Sequence, residues 1–125
     1  MNTLSLFDRL GGSDGIRAVV QDIVARHLAN PVISPRFQPY ADTPDKMEII
    51  KGHLCTFIEA GCGGKAQYTG RSMRDAHRGM NINEAEYMAA TDDILAVLRA
   101  HGMDEATQKD VLAIAYSLKG EILHV

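Results

Sequence analysis

Four stretches of the sequence carry apolar residues at the three- and four-residue spacing of one helix face. No stretch alternates apolar and polar residues over the length of a strand. Each amphipathic helix must bury its apolar side against another element, so four such helices without strands predict an all-α fold. With 125 residues, we expect a single domain over residues 1–125.

The ends of these helices carry recognisable signals. Ser13, Thr43 and Asn83 stand where an N-cap side chain would accept backbone hydrogen bonds. Asn83 is followed by Glu86 at the spacing of a capping box, and Pro44 suits the first turn of a helix. The predicted helices cover residues 13–30, 44–60, 84–100 and 104–123.

A region of about twenty residues, 62–83, separates the second predicted helix from the third and contains at most one short helix. A loop of that length is uncommon inside a compact domain and usually has a function. The segment RSMRDAHRGMNI, which contains His77, lies within it.

Composition restricts the class of protein. The net charge is -3 and the basic residues are scattered, which disfavours nucleic acid as a partner. No stretch is apolar enough to span a bilayer, and the first residues do not resemble a signal peptide, so we expect a cytoplasmic protein. Cys55 and Cys62 are too far apart along a helix to form a disulfide, and we interpret both as packing residues.

The five histidines have structural interpretations when each is taken alone. His101 suits a helix C-terminus, and His124, next to last in the sequence, is expected to fray. His27 lies on an apolar stripe, where a hydrogen-bonded core residue is the more common role. His53 would be the edge of an apolar face, and His77 a surface residue.

Two segments change this interpretation. SLFDRLGG at residues 5–12 and GGKAQYTGRSMRDAHRGMNI at residues 63–82 together resemble the first group of truncated haemoglobins, which is bacterial in type. The similarity extends along the whole chain, because the order of helices, glycine break and histidine-bearing segment also agrees. It implies a two-over-two helical sandwich around haem b.

The resemblance implies that His77 is the proximal ligand of the haem iron, with its second ring nitrogen donating to a backbone carbonyl. Arg71, Arg78 or Lys51 would pair with the propionates, although each is equally explained as a solvated charge. Apolar residues would line the haem, and each is also explained as ordinary core: Phe37, Ile50, Leu54, Phe57, Met73, Ile82, Tyr87, Ile114 and Leu118.

The distal side departs from the family pattern. Many members hold bound oxygen with a tyrosine and a glutamine, but the matching positions here are Val24, Ile50 and Leu54. His53 is the one polar candidate at the distal positions, and it would either donate to bound ligand or bind the iron itself. We favour iron binding, because no other distal group is expected to hold His53. Tyr40 lies in extra sequence before His53 and is a further candidate to reach inward.

The resemblance implies reversible binding of oxygen, carbon monoxide and nitric oxide by a monomer, with no catalytic residue assigned. Alternatives within the family are a nitric oxide dioxygenase that uses an external reductase, and a redox or gas sensor. Outside the family, a cofactor-free helical interaction module is the alternative, but the long segment around His77 disfavours it.

Overall fold

The computed structural model describes residues 4–64 and 66–125, without the side chain of Ala41. The first residues of the predicted domain and Lys65 of the second family-like segment lie outside the described residues. The described part of the chain is helical and has one isolated parallel bridge between Ile82 and Leu123. Its helices are α1 (Leu6–Arg9), α2 (Gly12–Ala29), α3 (Ser34–Ala41), α4 (Pro44–Gly61), α5 (Met73–His77), α6 (Glu84–Ala100), α7 (Glu105–Ser117) and α8 (Lys119–Ile122).

The bounds of α6 agree with the prediction, and its capping box between Asn83 and Glu86 is formed. The bounds of α2 and α4 agree within one residue at each end. The cap predicted for α2 was wrong, and the cap predicted for α4 was right in position but makes no side-chain hydrogen bond. Gly11, at a positive φ of 95°, precedes α2 in place of Ser13. Thr43 precedes α4 but makes no capping hydrogen bond.

The predicted last helix is interrupted at Leu118, which separates α7 from α8. The Ser117 hydroxyl donates to the Ile114 carbonyl at 2.6 Å and competes there with the Leu118 N–H, which is shared between the Ile114 and Ala115 carbonyls at 3.3 Å each. Gly120, a weak helix former, follows two residues later. The single helix over 104–123 was therefore wrong at this point.

Two further short helices, α1 and α3, were not predicted. Within α3, Pro39 removes one backbone donor, so the helix depends on contacts from outside. Arg36 provides one of them through two hydrogen bonds to Glu86 of α6, at 2.6 and 3.0 Å. Phe37 provides another, with its ring centroid 5.4 Å from that of His27.

Helix α2 lies at the centre and packs against α3, α4 and α6, while α6 also packs against α7. Its buried stripe forms much of the core, together with residues from α4 and α6. No helix within the described residues has both the length and the apolar character needed to span a bilayer. The core cluster consists of Leu10, Ile16, Val19, Val20, Ile23, Val24, Met47, Cys62, Val97 and Leu98.

A buried polar pair joins α2 to α6. His27 and Asp93 are each 6% exposed, and Nδ1 of His27 lies 2.8 Å from Oδ2 of Asp93. A carboxylate only accepts, so Nδ1 carries the proton. Asn30 donates to the same carboxylate at 3.2 Å, and Arg26 lies 3.4 Å away. The prediction that His27 is a hydrogen-bonded core residue is confirmed.

Candidate functional site

His77 is the last residue of α5, a five-residue helix within the long segment that separates α4 from α6. Ser72 caps this helix by accepting from the backbone N–H of Asp75 at 3.1 Å. The half-buried His77 ring places Nδ1 at 2.8 Å from the carbonyl oxygen of Met73. A carbonyl only accepts, so Nδ1 carries the proton, and Nε2 of the neutral ring keeps its lone pair.

All but one of the residues predicted to line the haem have intermediate exposure. Ile82 is buried at 9%, and the other eight are half-buried although all are large and mostly apolar. Three of those eight, Phe37, Leu54 and Ile114, also pack against the core cluster. Such partly covered apolar surface is what a flat apolar cofactor requires. The remaining five are Ile50, Phe57, Met73, Tyr87 and Leu118.

Two of the predicted lining elements are joined directly. The hydroxyl of Tyr87 on α6 donates to the carbonyl of Ala115 on α7, next to Ile114. Burial raises the pKa of Tyr87, which keeps the hydroxyl protonated as a donor. The half-buried Leu118 follows at the junction of α7 and α8, and α8 packs against the α5 helix of His77.

On α4, His53 belongs to an aromatic cluster that the sequence did not reveal. Tyr68, in the segment after α4, packs edge-on against both His53 and Phe57, with ring centroids 6.2 and 5.1 Å away. Its hydroxyl donates to the carbonyl of Arg71 at 2.6 Å. The His53 side chain is otherwise exposed. The premise that no other distal group holds His53 did not anticipate this contact with Tyr68.

Of the other residues predicted to lie on the distal side, Val24, Ile50 and Leu54 are apolar, and Tyr40 carries a hydroxyl. Val24 is 1% exposed and belongs to the core cluster. Tyr40 is half-buried and packs against that cluster. Ile50 and Leu54 are half-buried on α4, on either side of His53 in the sequence.

The residues suggested as propionate partners are engaged elsewhere or exposed. Arg78 pairs with Asp75 at 3.0 Å, and Lys51 lies 3.4 Å from Glu48. Arg71 is exposed. Surface pairs of this kind exchange partners at little free-energy cost, so these contacts neither assign nor remove a propionate role.

A separate surface cleft of about 710 Å³ lies between α2 and α4. Charged side chains of both signs line it, among them Arg17, Glu48 and Lys51. Cys55 also lines this cleft, and burial raises the pKa of its thiol and that of Cys62. Both thiols are free, as predicted. Apart from Lys51, which was suggested as a propionate partner, the lining of this cleft differs from the residues predicted to hold haem.

Family comparison agrees with the fold and with the sequence motifs. The family model for bacterial-like globins matches residues 5–124. The group 1 truncated haemoglobin GlbN of Mycolicibacterium paratuberculosis is 30% identical over 118 residues, which are 94% of this chain and 83% of that protein. The group 1 truncated haemoglobin GlbN of Synechocystis is 30% identical over 115 residues, 89% of each chain.

Solved structures show the same fold. The truncated haemoglobin of Tetrahymena pyriformis in its Fe(III) form superposes with a TM-score of 0.88 at 21% identity, covering 98% of this chain and 100% of that one. The 2/2 haemoglobin of Synechococcus sp. PCC 7002, described with covalently attached haem, superposes with a TM-score of 0.84 at 22% identity and covers 96% and 98%. The solved structures agree in fold, and the family model and the two relatives at 30% identity show that the chain belongs to the bacterial-like globin family and is a group 1 truncated haemoglobin.

Proposed function

We propose that this globin holds haem b through Nε2 of His77 and binds diatomic gases on the opposite face. The observation that carries the proposal is the hydrogen bond from Nδ1 of His77 to the Met73 carbonyl at 2.8 Å. It fixes the tautomer that leaves Nε2 basic, and it restricts rotation of the ring. Haem iron, when bound, supplies the centre at which oxygen, carbon monoxide or nitric oxide is held.

The chain's own residues provide the remaining requirements. The half-buried apolar side chains of α4, α6 and α7 offer a surface on which a porphyrin face would exclude water. Val24, Ile50 and Leu54 present no donor to a bound gas. A donor to a partly charged ligand contributes about 1.5–3 kcal/mol, so its absence lowers oxygen affinity roughly ten- to a hundredfold.

His53 is the proposed sixth iron ligand in the absence of gas. Its exposed ring, on α4 beside Phe57, is held by an edge contact with Tyr68. An aromatic contact of this kind contributes about 0.5–1.5 kcal/mol, which is small enough for the imidazole to leave Tyr68 for a metal. Gases then compete with His53, and the apparent affinity falls by the fraction of sites that are open.

The first test is the visible spectrum of the reduced, gas-free protein after haem is offered. Two sharp visible bands are expected if His53 and His77 both bind the iron, and one broad band indicates His77 alone. Absence of a haem band would overturn the proposal in favour of the cofactor-free module. His77→Gly should lose the two-band spectrum and recover it with added imidazole, whereas the control His101→Ala should resemble the wild type.

The second test isolates His53. His53→Ala should bind carbon monoxide faster than the wild type, because no side chain has to leave the iron first. An unchanged rate would refute iron binding by His53. Tyr68→Leu should slow carbon monoxide binding, because it frees His53 from its competing contact.

A further inference from the structure

We propose that the last three residues of the sequence, Leu123–Val125, form a clasp that positions His77. The clasp does so through the segment 79–82 that follows His77. The proposal rests on the assignment of His77 as the proximal ligand. Leu123, His124 and Val125 are not among the residues predicted to line the haem, so their proposed role is to position His77.

The clasp is built from backbone hydrogen bonds. The backbone oxygen of Val125 accepts from the N–H of Gly79 at 3.1 Å and from that of Asn81 at 3.3 Å. The N–H of His124 donates to the carbonyl of Ile82 at 3.0 Å. Leu123 and Ile82 form the isolated parallel bridge. His124 is therefore fixed in this structure, and the expectation that it frays was wrong.

Two residues of the contact between the clasp and segment 79–82 have strained backbone conformations. Asn81 and His124 are the non-glycine residues with positive φ in the described part of the chain, at 48° and 55°. They contact each other, with Nδ1 of His124 3.0 Å from Oδ1 of Asn81. A non-glycine residue stays in the left-handed region only when its surroundings hold it there. Both strained residues are held by the clasp.

Helix α5 needs such support from outside. It has five residues and none of them is buried, so it is too short to be stable alone. It packs against α8, and α8 leads directly into the clasp. Only Arg78 separates His77 from Gly79, and the Met80 N–H donates to the His77 carbonyl at 3.0 Å. The turn that carries His77 is thus held on its far side by Val125.

The test compares deletion of Val125 with His101→Ala, an exposed histidine on another surface. On the haem-free chain, NMR measures the rates of hydrogen exchange at the amides of Gly79 and Asn81 and at the Nδ1–H of His77. On the haem-bound chain, transfer of haem to an excess of an acceptor globin measures the rate of haem loss. Deletion of Val125 should speed exchange at all three sites at least tenfold and speed haem loss by a similar factor. The control should stay within twofold of the wild type.

The proposal would be overturned if the deletion speeds exchange at Gly79 and Asn81 but leaves exchange at His77 and the rate of haem loss unchanged. The clasp would then have no effect on His77. If the deletion unfolds the chain, as judged by exchange at Leu98, His124→Ala provides the milder perturbation. It should shift His77 exchange in the same direction, and no shift would overturn the proposal. A wild type that binds no haem would refute the proposed function, while exchange at His77 would still test the clasp.

Discussion

Replacing Asp93 with asparagine tests how strongly the buried polar pair stabilises the fold. The substitution keeps the volume of the side chain, so it leaves no cavity. It removes the negative charge and turns one acceptor into a donor. Asp93 is 6% exposed and accepts from His27 at 2.8 Å and from Asn30 at 3.2 Å. In the variant, the side-chain NH2 group that Asp93→Asn introduces faces an N–H donor, either that of Asn30 or that of His27.

The expected loss follows from these contacts. A hydrogen bond to a charged group contributes about 1.5–3 kcal/mol, and the loss of one such bond is the expected effect because the amide oxygen of asparagine still accepts the other. Arg26 lies at 3.4 Å but its side chain is 55% exposed, so solvent screens its contribution. We therefore expect Asp93→Asn to lower the free energy of unfolding by about 1.5–3 kcal/mol. For a domain of this size that lowers Tm by roughly 6–12 °C.

The assay is urea unfolding followed by circular dichroism at pH 7.5, where His27 is neutral in both states. Asp22→Asn is the matched control, because Asp22 makes a contact of similar length with a histidine, 2.7 Å to His101. The side chain of Asp22, unlike that of Asp93, is 60% exposed. That variant should lose less than about 1 kcal/mol. Equal losses in the two variants would refute the argument that burial makes the His27–Asp93 contact strong.

Three further predictions concern pH, backbone space and capping. Burial lowers the pKa of His27 below 6.5 in the folded chain, against the opposing effect of Asp93. The unfolded chain therefore gains the proton first, and stability should fall as pH drops below 6.5, by up to about 1.4 kcal/mol per pH unit. His27→Gln should remove that part of the pH dependence, and parallel curves for variant and wild type would contradict the assignment. Gly15→Ala would place Cβ 2.2 Å from a backbone carbonyl oxygen and should prevent stable folding, whereas Gly52→Ala meets nothing within 4 Å and should raise Tm. Asn83→Ala should cost about 1 kcal/mol in urea unfolding by removing the capping box, and a neutral result would show that the bond to Glu86 contributes nothing.

Local signals account for the parts of the fold that were predicted. The capping box at Asn83 and the helical period of α6 lie within one stretch of sequence, and both bounds of α6 agreed. The break at Leu118 was missed because a serine hydroxyl competes with the backbone there, and Ser117 has no obligatory conformation. The α3 helix was missed because its two prolines resemble a turn, while its stabilising contacts come from Glu86 and His27, distant in sequence.

The candidate site likewise contains one part that the sequence predicted and other parts that it did not. The segment around His77 was identifiable because the motif is contiguous. Asp93 and Tyr68 were not identified. A buried aspartate on a helix and a tyrosine in a loop have no periodic signature, and each acquires its role from a partner at least fifteen residues away in the sequence.

The helical character of the chain and the glycine-bounded segment that carries His77 were therefore predictable from the sequence. These properties depend on residue types and on spacing within a few residues. Only the folded structure brings Tyr68 against His53, Asp93 against His27, and residues 123–125 against the segment after His77. Each of these contacts joins segments distant in sequence, and its free energy exists only when the packed core brings the two partners within hydrogen-bond or van der Waals distance.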